Sequence, residues 1–482
     1  MCGIIARVGA DDAAPRLVSG LENLEYRGYD SSGIAVQNGS GINIHKQAGE
    51  VDDLKRALDR SSLDGNVGIG HTRWSTHGPP TDANAHPHTD DDDTVAVVHN
   101  GVIENHGTLR SWLADRGHEF TSATDTEVIP HLLEHHLERA DDPLDAFRTT
   151  VQELEGSYAL TALVDGVDAV YAARQGSPLV LGLGEQQFFL ASDVPAFLEH
   201  TDEVVYFEDG DVAEVRPEGV TITSVDGSPV DREVESVDWD PDETAKGAYD
   251  HYMRKEIDAQ PSALSNTIRG RIGPESERIT FDDFDETVIR GVDEVQFVGC
   301  GTSYHAAIYG SRLLNRTGIR SRAIRANEYD SASGPVGDDT LVVAVTQSGE
   351  TADTMRALEN AQAAGARTIT VTNVMGSSAA RTADDTVFIR AGPEIGVAAT
   401  KTFSSQVVTL GLLGRRLATA ANGADVADGR RELLDSLERL PSQLDGLLDR
   451  SRAESVAHQF RDCPAYFFIG RGLGYPVAKE GA

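Results

Sequence analysis

Cys2, Arg73, Asn100, Gly101 and Asp125 are the residue types that acyl transfer from an amide requires. A cysteine directly behind Met1 becomes N-terminal once that methionine is removed. It then carries a thiol and a free α-amine on one residue, a nucleophile with a built-in base. An α-amine titrates near about 8 and a thiol near about 8.5, so the proton passes between them almost without cost, whereas a lysine near about 10.4 would stay protonated. Asn100 offers a side-chain amide N–H and Gly101 a backbone N–H that can approach a ligand closely, together an oxyanion hole. Arg73 can grip a carboxylate with two prongs and Asp125 can hold an ammonium. Free glutamine has that carboxylate, that ammonium and a side-chain amide.

The elements that must position these groups are short strands with turn-rich connections. Residues 16–24 have helical apolar spacing, and residues 32–36 and 66–71 read as buried strands. The second strand runs into 72–79, a loop rich in donors and breakers. Residues 94–99 form a strand ending at Asn100-Gly101, a pair favoured where φ must be positive. Nearby, His131-Leu132-Leu133-Glu134-His135 matches the HxxEH zinc pattern on a helix that Pro130 can open. In so acidic a chain a third carboxylate ligand could be nominated almost anywhere, so the pattern tests little and no metal is assigned. His86-Pro87-His88 is read as a loop for the same reason.

Residues 219–245, acidic and broken by Pro229 and Pro241, read as a linker, and a helix is expected over 246–260. Beyond it the period changes to strand–loop–helix. Strands are predicted at 294–299, 341–345, 368–372 and 386–390, with loops at 300–303 and 346–351 and helices from 304, over 352–364 and over 401–421. This is a doubly wound parallel sheet. Its loops carry Ser, Thr and Gly instead of GxGxxG, which argues against a dinucleotide and for one phosphate at helix N-termini.

At 482 residues, 39% hydrophobic and 25% charged, the chain is globular and expected to hold two or three domains. A net charge of −36, with six lysines among 42 basic residues, speaks against nucleic-acid binding and suits a protein that folds in concentrated salt. No stretch approaches the roughly 20 apolar residues of a membrane span, and no basic and apolar leader is seen. Three distant cysteines form neither a disulfide framework nor a CxxC site, so a cytoplasmic location is expected.

The segments Cys2-Gly3-Ile4, 26–31, His71-Thr72-Arg73-Trp74 through His77-Gly78, His99-Asn100-Gly101 and 124–127 resemble the class II glutamine amidotransferases. That resemblance implies a four-layer αββα N-terminal-nucleophile hydrolase fold, glutamine held by Arg73, Thr76, His77 and Asp125, and Trp74 gating ammonia. Loops 300–303 and 347–351 resemble the sugar isomerase (SIS) domain. The combination, with Glu394 to Ala398 and Thr400-Lys401, resembles the isomerising glutamine:fructose-6-phosphate aminotransferase family. By carry-over, Thr302, Ser303, Gln347, Ser348, Thr351 and Val397 contact the sugar phosphate, and Glu480 matches a catalytic acidic position. The family implies L-glutamine and fructose 6-phosphate as substrates, a homodimer, and no prosthetic group or obligatory metal.

The resulting division is an amidotransferase domain at 1–218, a linker at 219–245, an SIS domain at 246–425, and connecting helices with the start of a second SIS lobe at 426–482. That start is read from 463–470 as a strand and 471–475 as a loop, which together repeat 297–304 at a shift of 171 residues, with Gly470 opposite Gly299 and Tyr475 opposite Tyr304. The lobe stops inside its first helix, where Lys479 is a poor stand-in for the family's ring-opening lysine. Glutamine hydrolysis without glucosamine 6-phosphate synthesis is therefore expected of these 482 residues. Two rivals are an amidophosphoribosyltransferase, for which no phosphoribosyl-diphosphate site is seen, and a sugar-phosphate sensor. A sensor with a vestigial amidotransferase would have lost Cys2, Arg73 or Asn100, and all three are present.

Overall fold

A computed structural model describes residues 2–39, 41–58, 63–75, 78–237, 249–272, 279–281, 289–396, 398–422 and 430–482. The chain divides into two compact units, Met1–Ala245 and Lys246–Ala482.

The strands of the first unit, in chain order, are β1 (Gly3–Gly9), β2 (Ser31–Asn38), β3 (Gly41–Ala48), β4 (Val67–Arg73), β5 (His88–Thr89), β6 (Val95–Ile103) and β7 (Gly156–Val164). They continue with β8 (Val170–Gln175), β9 (Val180–Gly184), β10 (Gln187–Ala191), β11 (Glu203–Tyr206), β12 (Asp211–Arg216), β13 (Gly219–Ser224) and β14 (Glu235–Ser236). One sheet has the order β14-β11-β9-β10-β1-β4-β2-β3 and the other β13-β12-β8-β7-β6-β5. The helices are α1 (Ala13–Leu24), α2 (Val51–Leu58), α3 (His106–Ala114), α4 (Val128–Leu137) and α5 (Pro143–Gln152).

The alternation of strand side chains sorts them into layers. Ile4, Ala6 and Val8 of β1 meet Ala96 and Val98 of β6 and Ala159 and Leu163 of β7 in a core between the sheets. Ile5, one residue out of phase, packs instead with Leu17 and Leu21 of α1 and Leu54 of α2. On the far side Val95 and Val97 of β6 pack with Leu132 and Leu133 of α4 and Phe147 of α5. Helix, sheet, sheet and helix follow in that order, the expected αββα arrangement. The expected linker is corrected in part. Residues 219–224 pair with β12 and residues 235–236 with β11, so these stretches are edge strands of the first unit. Their alternation was hidden because an edge strand buries little.

The second unit has a parallel sheet of β15 (Glu294–Gly299), β16 (Ser321–Arg325), β17 (Thr340–Val345), β18 (Arg367–Thr372) and β19 (Asp385–Phe388), ordered β16-β15-β17-β18-β19. Both faces are covered, which is why its strands read as continuous apolar runs. Phe297, Val343 and Ile369 pack against Leu410 and Leu413 of the helix Lys401–Asn422 on one face. Val298, Val342 and Ala344 pack against Ala357, Leu358 and Ala361 of the helix Ala352–Ala363 on the other. The expected helix over 246–260 is shorter, Tyr252–Asp258, followed by Gln260–Ile268, while 246–248 lie outside the described residues.

The strand predicted at 463–470 is absent. No neighbouring strand pairs with it among the described residues, and Phe467 and Ile469 are 90% and 95% exposed. An apolar run becomes a strand only where a sheet accepts its N–H and C=O groups. Among the described residues no helix is long and apolar enough to cross a membrane.

Candidate active site

β1, β4 and β6 bring the predicted residues of the first unit together. Gly3 pairs with Thr72, so Cys2 lies beside the end of β4. The Trp74 N–H donates to Cys2 Sγ at 3.3 Å, and the Cys2 carbonyl accepts from Arg27 Nε at 3.1 Å and Asn100 Nδ2 at 2.9 Å. Arg27 is in turn fixed by Asp193 at 2.9 Å, which also takes the Tyr26 hydroxyl at 2.6 Å. Gly28 is needed because a Cβ there would stand 2.5 Å from the Arg73 carbonyl carbon and 2.7 Å from Trp74 N. Burial pushes the Cys2 thiol up, against the Trp74 N–H and the Arg73 and Arg27 charges.

Asn100 is oriented from the other side. His71 Nε2 lies 3.0 Å from Asn100 Oδ1 and 3.1 Å from the His99 carbonyl. Both partners are acceptors, so Nε2 carries the proton and the Asn100 amide group is aimed at Cys2. Gly101 has φ +129°, and a Cβ there would fall 2.0 Å from the Ser157 carbonyl oxygen. Both expected oxyanion donors are therefore set by β6 and its partner β7.

Thr124 to Glu127 use every side chain to hold their loop. Thr124 bonds His88 Nε2 at 3.1 Å, and Thr126 Oγ1 lies 3.0 Å from His86 and 2.9 Å from His99. Glu127 accepts from Thr121 and Ser122. Asp125, buried, accepts the Ile103 N–H at 2.8 Å. Burial pushes Arg73 down, and Cys2, Asp125 and Asp30 offset this only in part. Trp74 is part-exposed and meets Tyr29 edge-on at 5.3 Å. Thr76 and His77 lie outside the described residues.

His71, His86 and His88 were not singled out as a group by the sequence, yet they form a buried floor under Asn100. Burial and mutual repulsion hold all three neutral, with His71 pushed down to about 3 and Arg73 adding to the effect on each. Unfolded, each would take up a proton below about 6.5. Their neutral burial thus stabilises fully above that pH, and the stabilisation is lost as pH falls toward 3. For His71 alone this amounts to about 2 kcal/mol at pH 5, since 1.5 pH units at about 1.4 kcal/mol each separate pH 5 from the unfolded value. We expect the urea midpoint of the first unit to fall steeply between pH 7 and pH 5. An unchanged midpoint would mean that the cluster stays charged when buried.

In the second unit the sheet order places β15 beside β17, with β16 on the outer side. The strand order reverses there, β16 being added on one side of β15 and β17 on the other, so the loops after β15 and β17 open a crevice at their carboxyl ends. Helices Gly301–Asn315 and Ala352–Ala363 start from those loops. Thr302 and Ser303 lie in the first helical turn and not in a loop, which corrects the expected start at 304. Gln406 Nε2 donates to Ser303 Oγ at 3.0 Å. Ser348 Oγ accepts the Glu350 N–H at 3.2 Å, and Thr351 is the N-cap residue of Ala352–Ala363. The Gln347 carbonyl accepts from Asn373 N–H at 3.1 Å. Val397 lies outside the described residues. Glu480 takes the Thr302 hydroxyl at 2.7 Å and His305 Nδ1 at 2.6 Å.

Residues 394–396 and 400–402 are tied down by two carboxylates, of which the sequence reading gave Glu256 no role. Glu394 accepts the N–H groups of Thr400 at 2.7 Å and Lys401 at 2.9 Å, and also the Thr402 hydroxyl. Glu256 accepts those of Ile395 and Gly396. Burial raises both, Glu394 to about 7.

Comparison with known proteins places both units. Residues 71–199 match the glutamine amidotransferase domain family and residues 289–415 the SIS domain family. A glutamine–fructose-6-phosphate aminotransferase (isomerizing) of Halobacterium salinarum is 47% identical over 100% of this chain and 80% of its own length. The chain belongs to that family. The Methanothermobacter thermautotrophicus enzyme of the same name is 43% identical, over 100% of this chain and 79% of its own. A solved structure, the C-terminal domain of glucosamine-fructose-6-phosphate aminotransferase from Francisella tularensis, shares 32% identity over 49% of this chain and 67% of its own, with a TM-score of 0.46. Within the aminotransferase family assignment, Cys2 precedes the matched amidotransferase span, so its role rests on the geometry above.

Proposed function

We propose that the protein serves the transfer of the amide nitrogen of L-glutamine to fructose 6-phosphate, these 482 residues supplying the glutaminase half and the first sugar-phosphate lobe. Cys2 Sγ attacks the glutamine amide carbon after giving its proton to the α-amine bared by Met1 removal. The negative charge that develops on the amide oxygen is met by the second N–H of the Asn100 amide and by the Gly101 N–H. Ammonia leaves with that proton, and water releases glutamate from the thioester. Arg73 and Asp125 hold the glutamine carboxylate and ammonium, with Thr76, His77 and Trp74 completing the pocket. Fructose 6-phosphate takes the switch-point crevice of the second unit, its phosphate met by Thr302, Ser303, Gln347, Ser348 and Thr351 with Val397 alongside. Glu480 is the proposed acidic group there.

The observation that carries this reading is Cys2 held between the Trp74 N–H and an Asn100 amide whose orientation His71 imposes. The test is glutamate release measured with and without fructose 6-phosphate, alongside titration of the sugar phosphate itself. We expect release from the processed protein, and fructose 6-phosphate binding weakened about thirtyfold by Ser303→Ala together with Thr351→Val, each removing one hydroxyl worth about 1 kcal/mol. Absence of glutamate release would overturn the first half, and unchanged sugar-phosphate affinity the second. A homodimer is part of the proposal and is read from the mass in solution.

A further inference from the structure

A second cluster in the first unit lies outside the machinery just described. Asp91 precedes β6, His118 follows α3, and His131 and Glu134 are three residues apart on one face of α4. Their donor atoms converge, all four within 4.8 Å of one another. His118 Nδ1 is 3.3 Å from Glu134 Oε2 and 3.5 Å from Asp91 Oδ2, and His131 Nδ1 is 3.8 Å from the same Asp91 oxygen. Neither ring nitrogen of His131 has a hydrogen-bond partner, although the residue is 1% exposed. The buried Glu134 Oε2 has none either.

We propose that Asp91, His118, His131 and Glu134 bind one divalent transition-metal ion, with zinc the best match. Zinc bonds of about 2.0–2.2 Å to imidazole nitrogen and carboxylate oxygen, in a tetrahedron, separate the donors by about 3.3–3.6 Å. The three distances above fall at or near that edge, longer than a good hydrogen bond and badly aligned for one. Two neutral imidazoles and two carboxylates balance a 2+ charge. The Glu119 N–H donates to Asp91 Oδ1 at 3.2 Å, which leaves Oδ2 turned to the ion, the kind of outer support metal ligands have. The Phe120 ring walls the site against His131 at 4.8 Å.

The HxxEH pattern pointed to this helix with one wrong member. His135 packs edge-on against Trp112 at 4.8 Å and is absent from the convergent set, while His118 and Asp91 come from elsewhere in the chain. Four protein ligands leave no open position, so the ion is structural. It would tie the loop entering β6, the strand that carries Asn100 and Gly101, to the helix that follows Asp125.

The test uses the whole protein, stripped with a chelator and dialysed, then titrated with Co²⁺ and competed with Zn²⁺. We expect one Co²⁺ per chain with the visible bands of a tetrahedral N/O site, displaced by Zn²⁺, and a higher unfolding midpoint for the loaded protein. Asp91→Asn should weaken binding at least about tenfold and His131→Gln about a hundredfold. Asp91 is part-exposed, so its variant keeps the test valid if His131→Gln fails to fold. No binding at about tenfold excess of either metal, or binding unchanged in Asp91→Asn and Glu134→Gln, overturns the proposal.

Discussion

We expect Cys2→Ala to abolish glutamate release and to leave the unfolding midpoint of the first unit in place. The two outcomes separate because the side chain and the backbone of Cys2 have different partners. Sγ bonds only to Trp74 backbone atoms among the described residues, whereas the carbonyl holds Arg27 and Asn100. Alanine keeps the carbonyl and loses one half-buried sulfur, a change of about 1 kcal/mol or less. Catalysis has no such reserve. Burial already disfavours the thiolate, so a base must stand at the sulfur. No side-chain base bonds Sγ among the described residues, which leaves the α-amine. Blocking Met1 removal should therefore cost as much activity as removing the thiol, although every side chain is kept. Steady-state glutaminase assays with denaturation curves on both variants check this. Residual hydrolysis within about tenfold of the parent protein in either would remove Cys2 from its assigned role.

The candidate catalytic groups were legible because chemistry restricts their types. A thiol directly behind Met1 and an Asn-Gly pair have few structural uses; Cys2 and Asn100 do meet, but the pair lies inside β6, which runs on to Ile103, and not at its end as expected. Their supports were less legible. His71, His86 and His88 are scattered histidines until β4, β5 and β6 bring them together, and neutral imidazole in a core leaves no spacing signature. Asp193, which fixes Arg27 at 2.9 Å, is 166 residues away in the chain. Local pattern also failed where tertiary context decides: 219–224 became a strand by pairing with β12, and 463–470 pair with no strand among the described residues. Four strands of the second unit's sheet were legible because apolar runs covered on both faces are a strong strand signal, whereas β16, with Arg322 and Arg325 in five residues, was not expected, and with it the switch point.

Asn100→Ala should lower kcat by about 10²–10³-fold, or about 2.7–4 kcal/mol, with KM nearly unchanged. The amide orientation is not free: Oδ1 faces the protonated Nε2 of His71 at 3.0 Å, and Nδ2 gives one N–H to the Cys2 carbonyl at 2.9 Å. The remaining N–H meets the oxygen of glutamine only as it becomes an oxyanion, so its loss falls on the transition state. Alanine leaves His71 its bond to the His99 carbonyl, and the floor of the site survives. Asn100→Asp separates position from chemistry. It fills the same volume but turns an acceptor toward the Cys2 carbonyl, where donor and acceptor become two repelling oxygens. It also places a carboxylate beside His71, drawing that imidazole toward protonation. We expect Asn100→Asp to lose at least as much kcat as Asn100→Ala and to be the less stable of the two. If the aspartate variant retained parental kcat, the amide N–H would not be an oxyanion donor, and Gly101 would have to carry that charge alone.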